Sequence, residues 1–191
     1  MLSVVERMPK GKVMIYYIHY ENNKNYREAL HELLMRELTN LYIDSTNEIT
    51  IKKGKYGKPY AVVSRIIEYN ISYTTGAGVI ALCENRPIGV DIECVGEIHQ
   101  EILERCYHEK ERCYILNGKE KNKMTRRFYE IWTKKEAYVK YLGVGINKNF
   151  ATLNVLDESI ANKFQTVCIE NCILTVYTEG NYSITLKKTE M

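Results

Sequence analysis

The hexapeptide Ile88-Gly89-Val90-Asp91-Ile92-Glu93 narrows the folds open to this chain more than any other segment. Apolar residues alternate with glycine and two acids, so as a strand it turns Ile88, Val90 and Ile92 to one face and Asp91 and Glu93 to the other. Neighbours on one face of a strand lie roughly 6–7 Å apart, close enough for the two carboxylates to repel. Burying a carboxylate without compensation is costly. A chain built around this strand must therefore supply solvent, a basic partner or a cation beside it.

One source lies about forty residues downstream. Thr125 to Leu142 carries Phe128, Ile131, Trp132, Val139 and Leu142 on a helical stripe, with Gly143 to end it. Inside it, WTKKEAYVK (132–140) sets Trp132, Glu136 and Lys140 in one row at i, i+4 and i+8. Alone, a Glu-to-Lys pair on a solvated helix face has the same spacing and contributes only ~0.2–0.5 kcal/mol. With Asp91 and Glu93, however, Glu136 makes a third carboxylate, and Lys135 and Lys140 can neutralise phosphates. Such a set suits Mg²⁺, which takes oxygen ligands and shares its shell with substrate phosphates. A purely structural alternative pairs Asp91 and Glu93 with lysines of the helix.

The remaining pattern predicts strands at Val13–His19, Ile49–Lys52, Tyr60–Val63, Asn70–Thr74 and Ala77–Cys83, and a helix from Asn25 to about Leu41. GKYGKP (54–59) and ENRP (84–87) read as loop and turn. After the acidic strand come helices over 97–107 and 109–117, the long helix, and strands near 151–156, 164–170, 172–178 and 182–187. The expected fold is α+β: two similar lobes in a pseudo-two-fold arrangement, each with a long helix packed on an antiparallel sheet. The lobes divide as 1–86 and 87–191, with the metal site near their interface.

Composition removes several classes. The 27 basic and 24 acidic residues nearly balance, which argues against a nucleic-acid binder. The first apolar run, Val13 to Ile18, is far short of the ~20 residues of a membrane span, so a cytoplasmic protein is expected. Cys83, Cys94, Cys106, Cys113, Cys168 and Cys172 form no CxxC pair, so neither a zinc ribbon nor a thioredoxin motif is indicated, and free, mostly core thiols are expected.

IGVDIE (88–93) and WTKKEAYVK (132–140), at their spacing, together resemble the signature of 4′-phosphopantetheinyl transferases. The long segment before the first block resembles the single-chain, surfactin-synthetase-activating type, whose two lobes form a pseudo-dimer. GKYGKPY (54–60) is similar to that type's GKP element, NISYTTG (70–76) lies where it has Asn-x-Ser-His-Ser, and Arg27 stands where a phosphate-binding arginine begins the long helix. The resemblance runs from about Arg27 to Leu153.

It implies a monomer that transfers 4′-phosphopantetheine from coenzyme A to a serine of an apo acyl or peptidyl carrier protein, leaving adenosine 3′,5′-bisphosphate. By the same resemblance Asp91, Glu93 and Glu136 hold Mg²⁺, Lys135 and Lys140 bind phosphates, and Arg27, Lys58, Ser72 and Tyr73 face the 3′-phosphate and adenine. Glu111, in YHEKE (107–111), stands where the family has a glutamate and is the candidate general base, with Glu136 and Lys140 also catalytic; the alternative makes it a surface residue of a charged helix. Two departures stand out: Tyr73 and Thr74 replace His and Ser, and Lys24 is the nearest candidate for an N-terminal basic residue. A non-enzymatic coenzyme A or carrier-protein binder of the same fold is the alternative function. A nucleotide phosphotransferase is disfavoured, since GxxxxGK[ST] is absent. Carrier proteins are acidic, so KNKMTRR (121–127) is either their dock or a solvated linker.

Overall fold

VMIYYIH forms the strand it predicts, β1 (Lys12–His19), buried over six consecutive residues. The computed structural model describes residues 11–20, 25–42, 48–145 and 150–189, so Lys24 lies outside the described residues. Next in the chain come α1 (Tyr26–Tyr42), β2 (Thr50–Lys53), β3 (Pro59–Val62), β4 (Ile66–Thr74) and β5 (Ala77–Glu84). With β1 and the last strand, β9 (Ser183–Thr189), they make a six-stranded sheet ordered β2-β3-β4-β5-β1-β9. Every pairing is antiparallel except β1 with β9.

Leu30, Leu33, Leu34, Leu38 and Leu41 share one face of α1 and pack on Met14, Tyr16, Ile18, Ile67, Tyr69, Ile80 and Leu82. Gly78 makes room for this helix: a Cβ there would sit 3.0 Å from Leu30. Because Tyr73 pairs with Gly78 and Ser72 with Val79, Tyr73 lies on the α1 face of the sheet and Ser72 on the reverse.

The second unit holds β6 (Gly89–Cys94), α2 (Gln100–Cys106), α3 (Glu109–Leu116), α4 (Lys121–Leu142), a short α5 (Glu158–Ala161), β7 (Phe164–Ile169) and β8 (Cys172–Tyr177). Its antiparallel sheet is ordered β6-β8-β7, and α4 lies along β6 and β8. Gly143, at φ 72°, ends α4 in the left-handed conformation that glycine tolerates best. Both units thus place a long helix on a sheet, as the α+β reading expects. Among the described residues no helix is long and apolar enough to cross a membrane.

Three expectations give way. The strand near 151–156 is a series of turns, because its backbone groups bond to side chains rather than to a neighbouring strand. Val155 N–H goes to Glu111, Leu156 N–H to Asn154, and Leu153 C=O accepts from Lys135. The chain divides into a unit running to Ile88 and resuming at Glu179, and a unit from Gly89 to Thr178. The final strand, assigned by order to the 87–191 lobe, therefore belongs to the first sheet. Nor are all thiols free: Cys94 and Cys172 stand opposite each other in the β6–β8 register and form a disulfide. Their 78-residue separation hides that pairing from any local motif.

Candidate functional site

The site in the second unit begins with a steric requirement at Gly89. A Cβ there would stand 1.9 Å from Ala137 C=O and 2.6 Å from Tyr141 N, so α4 passes directly over the bare start of β6. Strand alternation then turns Asp91 and Glu93 to the same side, toward α4. Thr175, opposite Asp91 in register, bonds to Thr133 of α4 at 2.8 Å and to Thr166 of β7 at 2.9 Å. Tyr177, opposite Gly89, packs against Tyr138 and Tyr141 at centroid distances of 4.9 and 4.8 Å. Helix and sheet are thereby held in one register.

Lys140 donates to Asp91 Oδ1 at 2.6 Å, and Asp91 is buried. Glu136, 8% exposed, feels both neighbouring acids. Burial, followed by the charges of Asp91 and Glu93, pushes its carboxyl up to about 7, with Lys140 opposing. Asp91, Glu93, Glu136 and Lys140 are thus electrostatic neighbours. Among the described residues no three His, Cys, Asp or Glu side chains already converge as metal ligands. The donor set nevertheless fits a hard dication: it is all oxygen and partly buried, with the Lys140 ammonium as an internal counter-ion.

Glu111 and Lys135 form a different group. Glu111 is fully buried and accepts from three donors: His108 N–H at 2.9 Å, Lys135 Nζ at 2.9 Å and Val155 N–H at 2.8 Å. Lys135 is equally buried, donates also to Leu153 C=O, and lies over the Phe150 ring at 5.1 Å. Burial lowers the proton affinity of its amine, and Glu111 opposes that. Neither the expected base nor the expected phosphate ligand is presented to solvent here. An apolar pocket of about 390 Å³, lined by Tyr138, Val139, Leu142, Phe150 and Leu153 among others, opens on this side of α4.

In the first unit, Arg27 donates from Nε to the Tyr73 hydroxyl at 3.0 Å. Tyr26 joins them, its ring 4.5 Å from Tyr73 and 5.5 Å from Tyr20. Lys58 bonds to Ile88 C=O at 2.5 Å, and burial pushes its amine down to about 8, with Glu68 opposing. Glu68 shares its sheet face with Ser72, whereas Arg27 and Tyr73 share the other, so the four residues expected to face the nucleotide divide between two faces.

KNKMTRR is neither linker nor loose tail; it forms the first turns of α4. Arg126 pairs with Glu130 at 3.1 Å, and Arg127 lies over the Tyr114 ring at 4.2 Å. Sequence reasoning missed Gly89, Thr133, Thr175, Tyr26 and Glu68. Only Gly89 carried a signal, because glycine inside a strand marks a close approach of other backbone.

Residues 87–186 match the family model described as the 4′-phosphopantetheinyl transferase superfamily. The chain is 38% identical over 132 residues to 4′-phosphopantetheinyl transferase gsp of Aneurinibacillus migulanus, covering 68% of this chain and 54% of that protein. It is 31% identical over 129 residues to 4′-phosphopantetheinyl transferase Sfp of Bacillus subtilis, covering 67% and 57%. A putative 4′-phosphopantetheinyl transferase of Synechocystis is 31% identical over 142 residues, covering 73% and 55%. The chain spans about half the length of these relatives.

Proposed function

Because the chain belongs to the 4′-phosphopantetheinyl transferase superfamily, we propose that it moves 4′-phosphopantetheine from coenzyme A to a serine hydroxyl of an apo acyl or peptidyl carrier protein. The observation that carries this reading is the gathering of Asp91, Glu93, Glu136 and Lys140 where α4 crosses β6, inside the matched segment. The products are the holo carrier and adenosine 3′,5′-bisphosphate. The working form is a monomer in the cytoplasm.

Asp91, Glu93 and Glu136 would hold Mg²⁺, whose charge would offset that of the coenzyme A pyrophosphate and of the leaving group. Lys140 exchanges Asp91 for phosphate oxygens when the substrate arrives. Burial and the neighbouring acids raise the Glu136 carboxyl while the site holds no metal; with Mg²⁺ held, the ion would keep it ionised as one of the metal-holding carboxylates. Glu111 serves elsewhere, because its oxygens are taken by three internal donors. Arg27 and Tyr73 receive the 3′-phosphate. The basic first turns of α4 suit an acidic carrier surface.

The test incubates the full chain with a panel of apo carrier proteins, coenzyme A and Mg²⁺, and reads intact mass. A carrier that gains one phosphopantetheine, with no gain when EDTA replaces Mg²⁺, is the expected result. Coenzyme A binding without mass gain on any carrier would replace this reading with the non-enzymatic one.

A further inference from the structure

Lys135 and Glu136 are consecutive on α4, so they leave the helix about 100° apart. Ala137, another 100° on, lies against Gly89 on the sheet side, which puts Lys135 on the side turned away from the sheet. Two sets of contacts therefore grip α4 from opposite sides. On the sheet side are the Gly89 approach and the Thr133–Thr175 bond at 2.8 Å. On the far side are the bond from Lys135 to Glu111 at 2.9 Å and its bond to Leu153 C=O. Glu136 projects between the two.

Glu111 is itself fixed from several directions. Its carboxylate closes the start of α3 by accepting from His108 N–H, completing a capping box, and ties down the 153–155 turns through Val155 N–H. A helix rotating about its axis would drag Lys135 off Glu111 and leave two buried charges without partners, which is strongly disfavoured. Rotation by a fraction of a residue would also swing Glu136 and Lys140 away from Asp91. The close-packed sheet side resists rotation as well, and the hydrogen-bonded ion pair adds a second grip with one preferred geometry on the far side.

We infer that Glu111 and Lys135 are positioning residues whose ion pair sets the rotation of α4 about its axis and so aims Glu136 and Lys140 at Asp91 and Glu93. This rests on the transferase reading for the use made of the aimed groups, and on geometry alone for the aiming.

Glu111→Ala strands a buried ammonium and is expected to unfold the unit, so the informative protein is the double variant Glu111→Gln/Lys135→Met. Its side chains keep the volume, and neutral replacement of a buried pair is generally tolerated. Full-length parent and double variant are compared for melting temperature, for kcat and KM of carrier modification, and for the Mg²⁺ concentration that half-supports coenzyme A binding in a calorimeter. The expected result is a melting temperature within a few degrees of the parent, KM for coenzyme A within about twofold, kcat lowered about tenfold or more, and a several-fold higher Mg²⁺ requirement. A folded double variant with parental kcat and Mg²⁺ requirement overturns the inference, as does an activity loss explained by unfolded protein. If the parent binds coenzyme A with Mg²⁺ but modifies no carrier, the transferase reading has failed and the Mg²⁺ requirement alone decides the positioning role. A parent that binds no coenzyme A overturns both.

Discussion

The ammonium of Lys140 lies 2.6 Å from Asp91 Oδ1, so the carboxylate on the strand and the last basic residue of the helix row compensate each other directly. The compensator demanded by two acids on one strand face is therefore already partly internal. Under the proposed function, a divalent ion among Asp91, Glu93 and Glu136 would take over that task and free Lys140 for an anionic substrate.

Replacing Asp91 by alanine is expected to lower carrier modification about a hundredfold or more while changing the melting temperature by only a few degrees. The change removes one ion pair but also removes a charge that repels Glu136, and these effects oppose each other. Measured kcat and thermal melts check it. An alanine variant with parental activity excludes Asp91 from the site.

The raised Glu136 carboxyl makes stability depend on pH in a stated direction. Its affinity rises to about 7 on folding, from about 4.5 in the unfolded chain, so the folded state binds more protons between those values. In metal-free buffer, stability falls as pH rises from about 4.5 to about 7, by at most on the order of 3 kcal/mol from this group. Glu136→Gln should flatten that slope and raise the melting temperature at pH 8. Mg²⁺ should stabilise the parent more at pH 8 than at pH 5.5 and leave the glutamine variant less responsive. Calorimetric melts at the two pH values, with EDTA or Mg²⁺, decide it.

The legibility of this chain was uneven for physical reasons. Strands and helices with strong alternation or a helical stripe, such as β1, β5 and α4, were plain, because burial of one face dictates their pattern. Asp91, Glu93, Glu136 and Lys140 stood out because charges inside apolar repeats are unusual. Glu111 and Lys135 looked like surface or substrate groups, since a charge destined for the interior is recognised only with its partner, and these two are 24 residues apart. The turns at 151–156 resembled a strand because side chains, invisible to periodicity, supply their hydrogen bonds.

At Gly89 the prediction is steric. Alanine would place its Cβ 1.9 Å from Ala137 C=O, and the next nearest atoms, Tyr141 N and Ala137 C, are also α4 backbone, so no flexible side chain can move aside. Gly89→Ala should cost about 4 kcal/mol or more, beyond the usual range of single substitutions. Circular dichroism melts of the purified variant test this, and a melting temperature within about 4 °C of the parent would contradict the close approach.

Tyr73→Phe deletes the hydroxyl that accepts from Arg27 Nε and so releases the guanidinium. If both residues meet the 3′-phosphate, the variant should show a raised KM for coenzyme A with kcat nearly unchanged, because a contact remote from the reacting phosphate acts alike in ground and transition states. It should also discriminate less than the parent against 3′-dephospho-coenzyme A. Equal discrimination would assign Tyr73 to packing with Tyr26 and Tyr20.

The parallel seating of β9 on β1, which pairs Lys12 with Ser183, has a consequence for the order in which this protein acquires structure during synthesis. The unit from Gly89 to Thr178 is continuous in the chain and can complete its hydrogen bonding as soon as it emerges from the ribosome. The unit that holds β1 has to wait, with one side of that strand open, until residues 183–189 arrive. An open strand edge is a site for mispairing with other chains. The unit holding β1 is therefore completed after the one inserted within it, and aggregation of truncated or slowly translated products should start at β1.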